Sequence, residues 1–207
     1  MRTHVYIDGF NFYYGCVRNT PFKWLDFGRL CAHLLPPNQI LSIKYFGARV
    51  EARSDDPGKP TRQETWFRAL RTIPHFEIIL GQFLTHAARL PRADGRGFVN
   101  VLRTEEKGSD VNLATHLVHD AHLGSMECAV IISNDSDLAE PLRIVHEEIG
   151  LTVGIVSPTL RSGRHPSREL VRHADFVKRV RKGVLQHSQF PNPVMAPGGP
   201  VFKPSRW

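Results

Sequence analysis

The sequence predicts an α/β fold with a mostly parallel central sheet covered on both faces by helices. Two observations carry this. Short apolar runs alternate along the chain with segments of helical periodicity. Several of those runs, above all Cys128–Ser133, are apolar throughout rather than every second residue, as strands buried on both faces require.

The elements follow in order. Thr3–Ile7 reads as a strand. Asp26–Leu35 reads as a helix capped by Asp26, with Leu30 and Leu34 on one face. Ile40–Val50 is a strand. Thr61–Ile73 is a helix with a Thr61/Glu64 capping box and Trp66, Leu70 and Ile73 spaced for one face. Phe76–Gly81 is a strand, and the Asp94-Gly95 pair between Phe83 and Thr104 marks a hairpin-like excursion. Ser109–Leu123 carries apolar residues at 114, 117, 118 and 121, an amphipathic helix. Leu138–Ile149 places Leu138, Leu142, Val145 and Ile149 on one stripe and stops at Gly150. Leu151–Ser157 is a strand and Ser167–His173 a short helix.

Length and composition fit this plan. A chain of 207 residues with 41% hydrophobic content suits one elaborated domain without disulfides or structural metal. The net charge of +7 favours a polyanionic partner. Cys16, Cys31 and Cys128 form no C-x-x-C and leave an odd thiol, so reduced cysteines in a reducing compartment are expected. No run approaches the ~20 apolar residues of a membrane helix, and the N-terminus has no signal-peptide stretch. The expectation is a cytoplasmic protein with no membrane partner; homo-oligomerisation is left open. Gly58-Lys59 is followed by proline, so no phosphate-binding P-loop forms, and His146-Glu147-Glu148 lacks the second histidine of a zinc protease. After Asp175 no acidic residue occurs, and the final 17 residues hold five prolines and two glycines. The division expected is a body over 1–182 and a basic, extended tail over 183–207 without regular structure, either disordered or strapped down by Phe202 and Trp207.

The chemistry lies in the acidic residues. In a parallel sheet, sites form at the carboxyl ends of strands. Asp8 ends the first strand, Asp135 and Asp137 follow the strand ending at Ile132, and Asp110 opens a helix. If those ends are neighbours, four carboxylates converge, and a hard divalent cation such as Mg²⁺ relieves their mutual repulsion while keeping water and phosphate in its shell. Each residue has a structural alternative: Asp137 can cap the following helix with Glu140, and Asp110 can complement a helix dipole. Asp8 is costly if buried unpaired. The triplet His116, His119, His122 reads as a polar helix face rather than a metal site, and Cys128 as core.

These residues resemble the NYN domain, a branch of the PIN-like metal-dependent ribonucleases that includes the LabA-like proteins. The matching stretches are YIDGFNFYYG (6–15), EKGSDVNLATHLVHDA (106–121), VIISNDSDLAEPL (130–142), GIVSP, and SRELVRHADF (167–176). The resemblance implies a PIN-like three-layer α/β/α sandwich. It also implies a Mg²⁺ or Mn²⁺ site built from Asp8, Asp110, Asp135 and Asp137, with Asn11 and Ser133 as polar neighbours, and RNA as substrate. Asn134 stands where many relatives carry glycine. Asp120 matches a frequent acidic position, yet it lies ten residues from Asp110, about 15 Å along one helix, so it is read as structural, as is Asp175.

The activity expected is hydrolysis of RNA phosphodiesters to 5′-phosphate and 3′-hydroxyl ends. An acidic pocket needs a basic rim, for which Arg49, Arg53, Lys59, Arg62, Lys107, Arg161, Arg164 and Arg168 are candidates. Tyr13, Tyr14 and Trp24 are candidates for base stacking. Two rivals stand: a haloacid-dehalogenase-like phosphatase using Asp135 and Asp137, and a non-catalytic nucleic-acid-binding module.

Overall fold

In the first strand, Val5 and Ile7 point to one side and Tyr6 to the other, and all three are fully buried. Such a strand needs apolar cover on both faces. The computed structural model, which describes residues 1–52, 54–160, 163 and 165–207, provides it. Strands β1 (Arg2–Asp8), β2 (Gln39–Ala48), β3 (Phe76–Pro91), β4 (Phe98–Lys107), β5 (Cys128–Ile132), β6 (Thr152–Ser157) and β7 (Phe176–Arg179) form one sheet in the order β4-β3-β2-β1-β5-β6-β7. Every pairing is parallel except β3 with β4.

One face packs under α1 (Gly9–Phe12), α2 (Phe27–Leu34), α3 (Lys59–Leu70) and α7 (Lys182–His187), with Val5, Ile7, Ile43, Val130 and Ile132 in its core. The other face meets α4 (Ser109–His122), α5 (Ala139–Arg143) and α6 (Arg168–Val171) through Tyr6, Phe46, Ile131 and Ile155. This is the three-layer α/β/α arrangement expected. Among the described residues no helix is long and apolar enough to cross a membrane. Cys16, Cys31 and Cys128 are free and buried.

Several local expectations change. Helix α3 starts at Lys59, two residues before Thr61, because Pro60 in its first turn presets the helical φ. The Thr61/Glu64 capping box therefore does not form; Glu64 pairs instead with Arg49 and Arg71. The 138–149 segment is helical as far as Glu148 but changes geometry: a 3₁₀ turn at Ser136–Leu138, α5, then a π-helical turn at Ile144–Glu148. Likewise α1 runs on as a π-helical turn over Tyr13–Val17. There Gly15 is required, since a Cβ would lie 1.7 Å from the Pro158 carbonyl oxygen.

The hairpin expected around Asp94-Gly95 exists and is long. β3 and β4 pair from Gln82↔Lys107 out to Pro91↔Phe98, closed by a turn in which Arg92 N–H donates to Gly97 O at 3.0 Å. The last residues also depart from expectation. α7 and the hairpin of β8 (Val194–Ala196) with β9 (Gly199–Val201) give them regular structure. Prolines 193, 197 and 200 sit beside or within two very short strands, where they need not donate to a wider ladder. The segment is tied down by Trp24 Nε1–H donating to Pro191 O (3.0 Å), Phe190 N–H donating to Trp24 O (2.9 Å), and the Trp24–Trp207 ring pair. Phe202, expected as an anchor, is exposed; Phe190, Val194 and Val201 serve instead.

Candidate metal centre

The chain leaves β1, builds β2 to β4 on one side, then returns through α4 to lay β5 on β1's other side. The carboxyl ends of β1 and β5 are therefore a topological switch point, where a crevice opens. Asp8 stands at the end of β1, and the turn 133–137 leaves β5. Helix α4 begins at the same end because β4 runs antiparallel and delivers Gly108 there, in a left-handed conformation (φ 97°) that favours glycine.

Asp8, Asp110 and Asp135 meet here. One carboxylate oxygen from each lies within 4.8 Å of the other two, and among the described residues no other such group of His, Cys, Asp or Glu occurs. Asp8 is 4% exposed, Asp135 half-buried and Asp110 exposed. The His116, His119, His122 face forms no such group.

A hydrogen-bonded frame fixes the carboxylates. Asn11 N–H donates to Asp8 Oδ1 (2.9 Å), capping α1, and the Ser133 hydroxyl donates to Asp8 Oδ2 (2.8 Å). Ser133 Oγ in turn accepts from Asp135 N–H (3.1 Å). Asn11 Oδ1 accepts from Asn134 N–H (3.1 Å), locking the two loops together. Asn134 ties the turn onward: its Oδ1 accepts from Ser167 N–H at 2.7 Å and its Nδ2 donates to His165 O at 3.4 Å. An asparagine rather than glycine at this position thus staples the 133–137 turn to the segment before α6.

The electrostatics follow from burial. Burial pushes the Asp8 carboxyl up to about 6, with Asp110 and Asp135 adding repulsion against the pull of its two donors. Asp110 is also raised, first by burial, then by Asp135 and Glu106. Carboxylates raised in this way favour a bound cation or proton.

Other expected residues land differently. Asp137 is exposed and outside the three-way group, although its charge is felt at Asp110. The cap expected of Asp137 belongs to Asp135, whose Oδ1 accepts from Asp137 N–H (3.1 Å), while Glu140 pairs with Arg143. Asp120 lies in a separate buried cluster, accepting from the Tyr6 hydroxyl (2.8 Å) and Lys44 Nζ (2.7 Å). Asp175 accepts from Val153 N–H at 2.8 Å. Glu106 escaped the sequence reading. It receives Ser109 N–H (3.0 Å) and the Ser109 hydroxyl (2.7 Å), so it caps α4 from the preceding strand and lines the site. Its only sequence signal is a carboxylate three residues before the helix start.

The three aspartates border an open cleft of about 640 Å³. Arg62 and Lys59 line it, Arg62 held by Asp56. So does Lys23, which sequence did not single out. Tyr13 and Tyr14 line it and are exposed, whereas Trp24 is core. Arg49 is held by Glu64 at 2.7 Å. Lys107 follows Glu106, so strand alternation sends it to the other side, where it pairs with Glu105 at 2.8 Å. Arg168 opens α6 and does not line the cleft. Arg53, Arg161 and Arg164 lie outside the described residues.

Comparison with known proteins places this geometry. Over its whole length, and over 75% of the relative, the chain is 32% identical to 6-hydroxy-3-succinoylpyridine 3-monooxygenase HspA of Pseudomonas putida. The crystal structure of a protein of unknown function from Vibrio parahaemolyticus shares the fold, with a TM-score of 0.57 at 19% identity, covering 87% of this chain and 93% of that one. The NYN domain family model matches residues 2–179, which takes in Asp8, Asp110 and Asp135 together; the chain belongs to the NYN domain family.

Proposed function

We propose that the protein is a divalent-metal-dependent ribonuclease that hydrolyses RNA phosphodiesters to 5′-phosphate and 3′-hydroxyl ends. The observation that carries this is the meeting of three carboxylate oxygens within 4.8 Å around a nearly buried Asp8. The donor set fits Mg²⁺ or Mn²⁺, because all three are hard oxygens and two of the three groups are pushed toward protonation without a cation. A bound ion would polarise a phosphate oxygen and lower the pKa of a water.

The chain's own residues do the rest. Asp8, Asp110 and Asp135 hold the ion, with Asp137 available from the solvent side of the turn. Asn11 and Ser133 orient Asp8 and Asp135 through the hydrogen bonds given above. Lys23, Lys59 and Arg62 draw a phosphate chain toward a pocket whose own charge repels it. Tyr13 and Tyr14 offer rings to bases at the rim.

The test is incubation with end-labelled single-stranded, structured and transfer RNAs in Mn²⁺, Mg²⁺ or EDTA. Metal-dependent cleavage leaving 5′-phosphates, abolished in a folded Asp8→Asn protein, is expected. Wild-type cutting by Asp8→Asn would refute the assignment. RNA binding without turnover in any metal would favour the non-catalytic module, and release of phosphate from small esters alone would favour the phosphatase reading.

A second reading rests on the HspA relative, whose name describes hydroxylation of a pyridine acid. The observation favouring it is the aromatic lining of the cleft by Tyr13, Tyr45 and Trp66 beside Lys23 and Arg62, which suits a flat ring bearing a carboxylate. Supplying that pyridine with dioxygen and a nicotinamide reductant tests it: a hydroxylated product and no RNA cleavage would replace the nuclease reading.

A further inference from the structure

The β3–β4 hairpin has no counterpart among the elements that build the core. Its ten paired positions, Gln82↔Lys107 through Pro91↔Phe98, span ~31 Å at ~3.4 Å per residue. Residues directly opposite in an antiparallel pair share a face, and alternate pairs share the same one. One face therefore carries, in order from the body, Phe83/Glu106, Thr85/Thr104, Ala87/Leu102, Arg89/Asn100 and Pro91/Phe98. Its inner end is part of the cleft, since Phe83, Thr104 and Glu106 line it beside Asp110. That face is a continuous extension of the cleft wall, running outward from the carboxylates.

Its chemistry changes along the way. The base is acidic at Glu106, next to the metal ligands. Farther out, Leu102 is 79% and Phe98 59% exposed, and the Arg89 guanidinium lies over the Phe98 ring at 4.9 Å from its centroid. Between 88 and 100 the outer arm holds Arg89, Arg92 and Arg96 against Asp94 alone, a net charge of 3 − 1 = +2, with Arg92 paired to Asp94 at 3.0 Å. The opposite face differs: there Arg103 and Lys107 are both paired with Glu105.

We propose that this face of the arm is a track for single-stranded RNA, holding nucleotides several positions away from the scissile bond, with a base on the Phe98/Arg89 platform and phosphates along Arg89 and Arg96. Exposed rings stack bases of any sequence, and arginines pair phosphates as point contacts or forks. Net positive charge at the outer end and continuity with the cleft favour RNA, whose evenly spaced phosphates suit Arg89 and Arg96 along one path. The inference rests on the ribonuclease reading for its substrate.

The experiment uses the full chain and two probes, oligouridylates of ~5 and ~30 nucleotides. Arg89→Ala and Phe98→Ala alter the track; Leu90→Thr and Val99→Thr alter the opposite face as controls. All four sites are exposed, and circular dichroism checks the fold. Binding is measured in EDTA across a salt series, and cleavage of the short probe in Mn²⁺. The track variants are expected to weaken the long probe's affinity by about tenfold for Phe98→Ala, and to flatten the log–log salt dependence by ~0.7 for Arg89→Ala. The short probe, held at the carboxylates, gains nothing from the outer platform, so the long probe's affinity advantage over it shrinks in the track variants, and the controls bind as wild type. Unchanged long-probe affinity in both track variants overturns the proposal, as does an equal loss in the controls. A wild-type dimer that the track variants dissociate, with RNA affinity unaltered, also overturns it and assigns the arm to self-association. If the wild type binds the long probe through the track yet cuts neither probe, the track stands and the nuclease reading falls. Normal cutting with track variants that bind as wild type gives the reverse.

Discussion

Replacing Asp8 by asparagine should stabilise the metal-free protein while destroying its metal response. Burial moves the Asp8 carboxyl from 3.8 up to about 6, close to two pH units at ~1.4 kcal/mol each. Because the folded value lies above the unfolded one, the folded state holds more protons across that window. Stability from this group is therefore full below about pH 4 and is lost as pH rises through about 6, a cost of about 3 kcal/mol near neutrality. An asparagine keeps the acceptor for Asn11 N–H, but the Ser133 hydroxyl loses its charged partner, about 1 kcal/mol in the other direction. The net expectation at about pH 7.5 in EDTA is a gain of about 2 kcal/mol, or roughly 4–8 °C in Tm for a chain of this size. Thermal unfolding followed by circular dichroism at about pH 7.5 and about pH 4 measures it. The advantage should vanish at the acid end. Saturating Mn²⁺ should reverse the order, adding about 2.7 kcal/mol to the wild type at a hundredfold excess over Kd and nothing to the variant. A variant no more stable than wild type in EDTA near neutrality, or one whose advantage persists in acid, would refute the reasoning that Asp8 is held ionised against its surroundings.

The remaining expectations concern the frame around the site. Lys44→Ala leaves Asp120 buried without its cation and should cost about 3–5 kcal/mol by urea unfolding, with Mn²⁺ uptake by calorimetry unchanged, since the two clusters are separate. Gly15→Ala drives a Cβ into the Pro158 carbonyl; a loss of about 3 kcal/mol or more is expected, with the 2.7 Å Arg18–Tyr13 turn bond disrupted in amide exchange. The Val153 N–H hydrogen bond, aided by His146, holds Asp175 below the usual carboxylate range although burial opposes it. Its contribution is thus present above about pH 4 and lost as pH falls, and Asp175→Ala, at a side chain open to screening by water, should cost about 0.5–1 kcal/mol near neutrality and less in acid, read by unfolding at both pH values. Asn134→Ala removes the acceptor for Ser167 N–H at 2.7 Å; a loss of about 1–2 kcal/mol with weaker Mn²⁺ uptake is expected if that staple positions Asp135.

Periodicity sufficed for much of the molecule. Apolar runs such as Cys128–Ile132 cannot be satisfied except in a sheet covered twice, so the layered α/β plan follows from local pattern alone. A carboxylate at the end of such a run, as at Asp8, announces a site, because its burial needs a compensating partner. Spacing along one helix likewise separates Asp120 from Asp110.

Tertiary structure decided the rest. Which of Asp135 and Asp137 turns inward depends on the 3₁₀ geometry of a turn held by Ser133 and Asn11, residues from two distant loops. Glu106 joins the site and Lys107 leaves it through the strand register of β3 with β4, a one-residue alternation that no composition reveals. The proline-rich end gains a helix and a hairpin because Trp24, Trp66 and α2 present a surface to pack against, and packing overrides weak local propensity. Local sequence sets which faces must be buried; only the assembled sheet sets which side chains meet, since contact between strand ends is a property of their order across the sheet and not along the chain.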